Sequence, residues 1–395
     1  MSPVLPFDII ALIIDIVGEN KDTNLLKELA LVSHSFLQIC SKHLFATVVL
    51  HDATMNYYIS SKKRFVKLLK SRPDVVKHIR KLTYNVGYDI NHYDHQLSPI
   101  LLNFLPTFSR LNCLTIIASY QDWNTLNSSL TSAFLHLMHL PTINHIGLSF
   151  IHDFPLSSLT PSVNLHRLDF FHMRCLRPFI EDGSPEIIME TMPKIREFRT
   201  INSSLLTTKL LRARTQDGRP AFNLMDLRRL SMSFGLFEDE RNIRYLLQNA
   251  KLLEKFDLSA VGARSLVGIL SLSPRTLKVL DLSVALHPWE SVAFRGLCEE
   301  LEALAGHNML EALSFAFQVD GNQTENFIGS RMQEMETILV KPGWSALKQV
   351  SFKASITPSE NSAKLCEELQ SLPDKYLSHL TKLKSIAFNY SAYLL

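Results

Sequence analysis

The chain has 395 residues, enough for two or three domains of ordinary size. Hydrophobic residues make up 46% of it and charged residues 20%, which excludes disorder for the bulk of the chain. The formal net charge of +3 gives no argument for nucleic acid or an anionic membrane as a partner, and the 13 glycines disfavour a glycine-rich nucleotide-binding fold.

The first 50 residues have the pattern of three short helices. Pro6 suits the start of a helix, where its missing N–H costs nothing, and the apolar stripe after it begins with Ile9, Ile10 and Ile13. Asn24 is expected to cap the second helix. A bundle of 50 residues has only a small core, so such a bundle usually packs on a partner or on the next domain.

This segment resembles an F-box. The family pattern is a leucine–proline start, an aliphatic first helix, a second helix that ends in a valine–serine step, an aromatic residue and a closing leucine–phenylalanine pair. The residues that match this pattern are Leu5, Pro6, Ile9, Ile10, Ile13, Ile14, Leu29, Val32, Ser33, Phe36, Leu44 and Phe45. The sequence departs from it at Phe36, where tryptophan is commoner, and at His34, where arginine is frequent.

The resemblance implies a partner for the bundle. F-box helices bind the adaptor subunit of an SCF-type ubiquitin ligase, and through it the cullin ligase core, while the tail selects a target protein. The residues that it assigns to adaptor binding are Leu5, Pro6, Ile9, Ile10, Ile13, Val32, Phe36, Leu44 and Phe45. An alternative is a helical cap that closes the N-terminal end of a solenoid, and both interpretations can hold together.

Residues 51–78 are expected to be a basic helical linker between an F-box-like domain at 1–50 and a repeat domain at 79–395. Phe65, Val66, Leu68 and Leu69 should pack inward while the lysines of this run stay in water. The alternative is that the basic run contacts an acidic partner or is a nuclear address. Phe65 is its one aromatic residue, which disfavours nucleic-acid binding. The stretch from Arg64 to Leu82 resembles the join in fungal F-box proteins that have irregular leucine-rich-repeat-like tails.

From residue 79 onward one phrase recurs: apolar, two others, apolar, one other, apolar. Its eleven starts are Ile79, Leu111, Ile143, Leu165, Ile195, Leu227, Leu253, Leu277, Leu310, Leu347 and Leu383. The phrase has the period of a strand, and segments between phrases, such as residues 240–250, have helical spacing. We therefore expect an α/β fold: a leucine-rich-repeat-type solenoid with a parallel sheet on its concave face and helices outside. The alternative is an ordinary α/β sheet with short apolar strands.

The outward residues of these strands are candidates for a target-binding site. Positions four and six of each phrase should point into the core, and positions three, five and seven to the opposite face, which includes Ile201 and Ser233. Mixed charges beside an exposed aromatic residue are typical of a binding hot spot. The predicted target-binding residues are Arg167, Asp169, Phe171, Arg199, Arg229, Asp257 and Asp281. The alternative is that a loop or terminal segment covers Phe171.

Sequence motifs for catalysis are missing: there is no phosphate-binding glycine loop, no nucleophile elbow and no HExxH. His136, His139 and His145 were the best metal candidates, but they lack cysteine or acidic ligands at a metal-binding spacing. The five cysteines are widely spaced, and we expect small buried hydrophobic residues in a reducing compartment. No enzyme activity, cofactor or metal is expected.

Neither a signal sequence nor a membrane span is evident, so a cytoplasmic or nuclear protein is expected. The predicted function is that of a substrate receptor of an SCF-type ubiquitin ligase, which holds a target near the ubiquitin carrier. One alternative is an F-box-like, leucine-rich-repeat scaffold or binding module with no role in ubiquitin transfer. Another is an enzyme on an α/β fold, against which the missing motifs argue.

Overall fold

The computed structural model describes residues 6–51, 61–87, 98–175, 192–215, 217–260, 266–273, 275–286, 296–306, 309–320, 325–358 and 362–395. The chain divides into two compact units. The first unit is Met1–Pro193 with Arg214–Ala221, and the second is Lys194–Ala213 with Phe222–Leu395. Leu5, one of the predicted adaptor-binding residues, lies outside the described residues.

The first unit begins with three packed helices, α1 (Phe7–Glu19), α2 (Thr23–Ala30) and α3 (His34–Leu44). Their buried centre is small and consists of Ile14, Leu26 and Cys40. The Asp22 carboxylate caps α2 by accepting the Leu25 N–H at 3.0 Å, and Ser33 caps α3 in the same way. The expected cap at Asn24 is therefore wrong by two residues.

The rest of the first unit is a parallel sheet in chain order with helices between its strands. The strands are β1 (Thr47–Leu50), β2 (Lys81–Val86), β3 (Cys113–Asp122), β4 (His145–His152) and β5 (Arg167–Phe171). The helices are α4 (Ser61–Ser71), α5 (Ser98–Phe104) and α6 (Ser128–Met138). β1 belongs to the sheet because Val48 pairs with Leu82, so the sheet starts directly after the helical bundle.

The second unit repeats this arrangement. Its strands are β6 (Glu197–Ile201), β7 (Arg229–Phe234), β8 (Lys255–Ala260), β9 (Val279–Leu286), β10 (Ala312–Asp320), β11 (Gln349–Thr357) and β12 (Ala387–Leu394). Successive strands pair in parallel. The helices are α7 (Ser204–Arg212), α8 (Phe237–Asn249), α9 (Leu297–Leu304), α10 (Glu325–Leu339), α11 (Ser362–Gln370), α12 (Leu372–Tyr376) and α13 (Ser378–Lys382).

The recurring phrase marks one strand each time. Ten of the eleven starts lie two residues before the first residue of β2 to β11, and Leu383 lies four residues before β12. Strand residues alternate as predicted: Leu168 and Phe170 are fully buried, while Arg167 and Asp169 are partly exposed. The expected α/β arrangement of parallel strands and helices is therefore confirmed within each unit.

One backbone contact recurs where the strands begin and fixes their register. The carbonyl of Arg80 accepts the N–H groups of Asn112 and Cys113, and the carbonyl of Asn112 accepts those of Asn144 and His145. The carbonyls of Asn144, Arg196, Arg228, Glu254, Lys278 and Glu311 make the same pair of contacts. Residues at equal positions of neighbouring phrases thus lie side by side.

Helix α4 packs Phe65, Val66 and Leu69 inward as expected, whereas Leu68 is only partly buried. Lys62 differs from the expectation that the lysines of this run stay in water, because its side chain is buried. Its ammonium lies 4.5 Å from the centroid of the Tyr84 ring, a distance at which the ring face attracts a cation. A lysine in a basic run therefore helps to hold α4 on strand β2.

Candidate partner-binding surfaces

Helix α1 has aliphatic side chains on most of its circumference, with Asp8 and Asp15 on one side, although only Ile14 of it is fully buried. Ile9 and Ile13 are 42% and 48% exposed. At the turn between α2 and α3, Leu31 and Val32 are 87% and 65% exposed. Exposed aliphatic side chains at this density make a candidate surface for a protein partner. We call Phe7, Ile9, Leu12, Ile13, Ile16, Leu31 and Val32 the apolar surface of the bundle.

The structure divides the predicted adaptor-binding residues into two groups. Pro6, Ile9, Ile13 and Val32 are exposed. A second group of Ile10, Phe36 and Leu44 packs against the centre of the bundle, and Phe45 is half-buried. The second group therefore supports the surface rather than forming it. Leu12, Ile16 and Leu31 are exposed residues that the F-box pattern did not single out, although their apolar character on a helix surface is visible in the sequence.

An ion-pair cluster fixes α1 on α3. Asp15 lies 2.6 Å from the Lys42 ammonium and 2.8 Å from Nε2 of His43. The hydrogen bond from His43, and then that from Lys42, lowers the pKa of Asp15 below its usual value. These contacts orient α1, so that Ile9 and Ile13 remain on the outside. Lys42 and His43 are 27 and 28 positions from Asp15, and no sequence pattern predicts their pairing.

The predicted target-binding residues of the first unit lie together at the end of its sheet. Arg167 and Asp169 are paired, with the guanidinium Nη2 of Arg167 3.0 Å from Oδ2 of Asp169. Nε2 of His145 lies 2.9 Å from the same oxygen. Burial alone raises the pKa of Asp169, but the hydrogen bonds from His145 and Arg167 outweigh it, and the pKa is lowered. Asp169 is therefore an anion held by two neighbours.

Beside Phe171 lies a cluster of rings that the sequence analysis missed. Ile117, Ser149 and Phe171 are paired across β3, β4 and β5, and Tyr120, Phe150 and His172 come after them along the chain. All three have left-handed backbones, with φ of 58°, 56° and 49°. We call these three residues the left-handed rung. The Phe150 ring lies 5.0 Å from Tyr120 and is stacked on His172 at 4.9 Å. Large side chains rarely adopt this conformation, and in a sheet it redirects the side chain.

Polar groups surround the left-handed rung. The Arg174 guanidinium lies 5.3 Å from the Tyr120 ring centroid, and the His152 ring lies 5.9 Å from the same ring. Within the described ranges, Nε2 of His152 and Oε1 of Gln121 are buried without a hydrogen-bond partner. Buried polar atoms in native proteins are nearly always paired. The rings therefore form a surface on which a partner can stack, whereas the two unpaired polar atoms are buried and out of a partner's reach.

In the second unit the predicted residues form two small groups. Arg229 lies 3.3 Å from Glu197, with which it is paired across β6 and β7, and Arg199 is paired with Ser231 two positions further along. Asp257 and Asp281 are directly paired across β8 and β9, and the Lys255 ammonium contacts both, at 3.2 Å and 2.6 Å.

Burial and the hydrogen bond with Asp281 raise the pKa of Asp257 to about 6, although Lys255 opposes this. The pair therefore carries less negative charge than two separate carboxylates below pH 6. One predicted outward residue is wrong: Ser233 is buried because its hydroxyl accepts the Asn202 N–H at 2.8 Å.

No protein-family model matches the chain, and no curated protein matches it. Comparison with solved structures finds a crystal structure of a protein from Bacteroides fragilis that is 11% identical. The match covers 84% of this chain and 82% of that chain, with a TM-score of 0.37. None of the helices in the described ranges is both long and apolar enough to cross a bilayer. Across those ranges, no three His, Cys, Asp or Glu side chains are grouped as metal ligands.

Proposed function

We propose that this protein is a substrate receptor of an SCF-type ubiquitin ligase. Its N-terminal bundle binds the adaptor subunit, and its repeat strands bind the target. The observation that carries the proposal is the apolar surface of the bundle, together with the F-box-like order of residues that builds it. Three helices with a buried centre of Ile14, Leu26 and Cys40 expose far more aliphatic surface than their own folding uses.

The occupant of this surface is a protein with an apolar face rather than a membrane or a nucleic acid. The surface is largely aliphatic, and the charged residues Asp15, Lys42 and His43 that join α1 to α3 are paired with one another. Binding energy at protein interfaces is concentrated in a few apolar side chains that become buried, and Ile9, Ile13 and Val32 are suited to that role. The F-box resemblance identifies the adaptor subunit of the ligase as that protein.

The mechanism requires no catalytic residue in this chain. A receptor that binds the ligase at one surface and a target at another raises the effective concentration of target lysines near the ubiquitin carrier. The ligase core and the carrier perform the transfer. The same two surfaces without a cullin complex would describe the alternative, a scaffold with no role in ubiquitin transfer.

The adaptor proposal is tested by calorimetry with purified SCF adaptor subunit and the full chain. The variant Ile9→Ser with Ile13→Ser should bind at least about tenfold more weakly, or roughly 1.4 kcal/mol, because two apolar anchors are lost. The matched control is Leu252→Ser with Val267→Ser in the second unit, at 40% and 52% exposure. The proposal is wrong if the parent does not bind, or if both double variants lose the same affinity.

For the target we propose the exposed sheet face of the first unit around Phe171 and the left-handed rung. Separately, Arg199, Arg229, Asp257 and Asp281 are proposed as target-binding residues on the sheet face of the second unit. Support comes from the rings of Phe150 and His172, which are stacked, and from Tyr120 beside them, which is exposed.

The test is affinity purification from cells with the proteasome inhibited, followed by mass spectrometry. Tyr120→Ala with Phe171→Ala should lose captured targets and keep the adaptor. Tyr245→Ala on α8 is the control, since Tyr245 is 39% exposed and Tyr120 is 42% exposed. Retention of every target by the double variant would show that the target-binding site lies elsewhere.

A further inference from the structure

A thiol, an imidazole and a carboxylate lie in contact on the exposed sheet face of the first unit. Sγ of Cys113 on β3 is 3.1 Å from Nδ1 of His145 on β4. Nε2 of His145 is 2.9 Å from Oδ2 of Asp169 on β5. The three side chains are only partly buried, so that a small molecule can reach them. Nothing in the proposed receptor function uses this arrangement.

The register of the strands creates this group. Lys81, Cys113, His145 and Arg167 occupy the same position on β2, β3, β4 and β5, and we call them the thiol rung. Neighbouring strands are about 4.8 Å apart, so the sulfur lies between two basic residues. The charged groups that face it are Lys81 on β2, His145 on β4, and Arg167 and Asp169 on β5.

The contacts hold the imidazole in the orientation that activates a thiol. The Asp169 carboxylate accepts the proton on Nε2, which leaves Nδ1 facing the sulfur. Asp169 is itself fixed by the Arg167 guanidinium, with Nε 3.2 Å from Oδ1. Burial disfavours the charged imidazole, but the hydrogen bonds with Asp169 and Cys113 outweigh it and raise the pKa of His145 to about 9. An imidazolium beside sulfur favours the thiolate.

Other chemistries fit the geometry less well. The imidazole uses opposite nitrogens for its two contacts, so the three groups do not converge on one point as metal ligands would. The Cys113 N–H donates to the carbonyl of Arg80, and the next residues of β3 are paired with β2 and β4. These N–H groups are therefore not available as oxyanion donors for acyl transfer. The site suits a thiol that is itself modified.

We propose that Cys113 is a reactive cysteine, with His145 as its proton partner and Asp169 orienting His145, that is oxidised by hydrogen peroxide to a sulfenic acid. The thiolate attacks one peroxide oxygen, and an S–O bond forms as the O–O bond breaks. The leaving hydroxide takes the proton of the His145 imidazolium and departs as water. Sulfur is oxidised by two electrons and the peroxide is reduced by two. Asp169 is a positioning residue, because it acts through His145.

The chain contains its own reference thiol for testing this. Cys298 on α9 is also partly exposed, but burial and the nearby carboxylates of Glu334 and Glu299 raise its pKa to about 11. Peptide mapping after limited reaction of the full chain with iodoacetamide measures both cysteines in one sample. At pH 6.5 we expect Cys113 to react at least about tenfold faster than Cys298, because the thiolate is the reacting form.

Two variants separate activation from simple accessibility. His145→Gln should slow alkylation of Cys113 by about tenfold at pH 6.5 and by much less at pH 9, where an ordinary thiol ionises by itself. Asp169→Asn should shift the same pH profile in the same direction by a smaller amount. The alkylation rate of Cys298 should be the same in both variants as in the parent. A merely structural role for His145 predicts an equal or faster reaction of Cys113 at both pH values.

The peroxide step is tested on the parent and on Cys113→Ser, with dimedone to trap sulfenic acid after brief exposure to hydrogen peroxide. The expected result is one adduct per chain, located at Cys113, that is absent from Cys113→Ser and reduced in His145→Gln. The proposal is overturned if Cys113 and Cys298 react with iodoacetamide at similar rates at pH 6.5, or if peroxide leaves Cys113 without an adduct. Thermal unfolding of each variant checks that the reactivity compared is that of folded protein.

Discussion

The helical bundle and the sheets distribute their apolar residues in opposite ways. In the strands, the inward residues Leu82, Leu168 and Phe170 are fully buried, and the exposed face carries mainly polar residues, with the rings near Phe171 among them. In the bundle, large aliphatic residues such as Leu31 and Ile13 lie at the surface. The sheets use their apolar residues to fold, whereas the bundle retains a surplus. A surplus of this kind is what a binding surface requires, and this difference is why we assign adaptor binding to the bundle.

The largest effect that this comparison predicts is on stability. Phe170→Ala removes a fully buried ring from β5 and should lower the free energy of unfolding of the first unit by about 3–5 kcal/mol. Leu31→Ala removes a side chain that is almost entirely in water and should change it by less than about 0.5 kcal/mol. Urea unfolding of the full chain measures both. Equal losses of unfolding free energy would show that Leu31 is packed and that the bundle has no surplus of exposed apolar side chains.

A second prediction compares the helix caps of the two regions. The buried carboxylate of Asp239 accepts the N–H groups of Gly235 and Leu236 at the start of α8 and a hydrogen bond from Ser204. Asp239→Ala leaves these donors unpaired and should cost about 1–3 kcal/mol. Asp22→Ala removes the exposed cap of α2 and should cost about 1 kcal/mol. Thermal unfolding measures which variant loses more stability. A larger loss for Asp22→Ala than for Asp239→Ala would contradict this prediction.

A third, smaller effect concerns pH and the carboxylate pair of the second unit. Because the pKa of Asp257 is raised to about 6, the folded protein holds its proton between about pH 4 and pH 6 while the unfolded chain has released it. Ionisation of Asp257 therefore destabilises the folded state as the pH rises through this window. Asp257→Asn should raise the melting temperature at pH 7.5 and leave it nearly unchanged at pH 4. A lower melting temperature at pH 7.5 would show that the Lys255 contact dominates instead.

The sequence predicts the strands well because their signal is local. A period of two over six residues is enough to place each of β2 to β11, and the helical spacing of residues 240–250 places α8 between β7 and β8. The sequence does not predict β1, because this four-residue strand comes directly after three helices and lacks the recurring apolar phrase. Lys62 was placed in water, since nothing in a basic run indicates that one lysine lies against a ring.

The contacts that make the sites are harder to predict. The left-handed backbones of Tyr120, Phe150 and His172 leave no mark on hydrophobic periodicity. The cysteines were expected to be buried from residue type alone, which is wrong for Cys113, Cys175, Cys298 and Cys366. For Cys113 the repeat already contained the better signal, because it occupies the outward third position of its phrase, as His145 does. The position of a residue in the repeat therefore predicts its exposure better than the average burial of its residue type does.

Hydrogen–deuterium exchange on the full chain, with and without purified SCF adaptor subunit, tests the central claim most directly. The account predicts a stable complex in which the amides of α1 and of the turn at Leu31 and Val32 gain protection, while the strands of both units stay unchanged. Absence of a complex at concentrations of tens of micromolar, or protection confined to the strands, would contradict the assignment of the bundle as the ligase-binding surface.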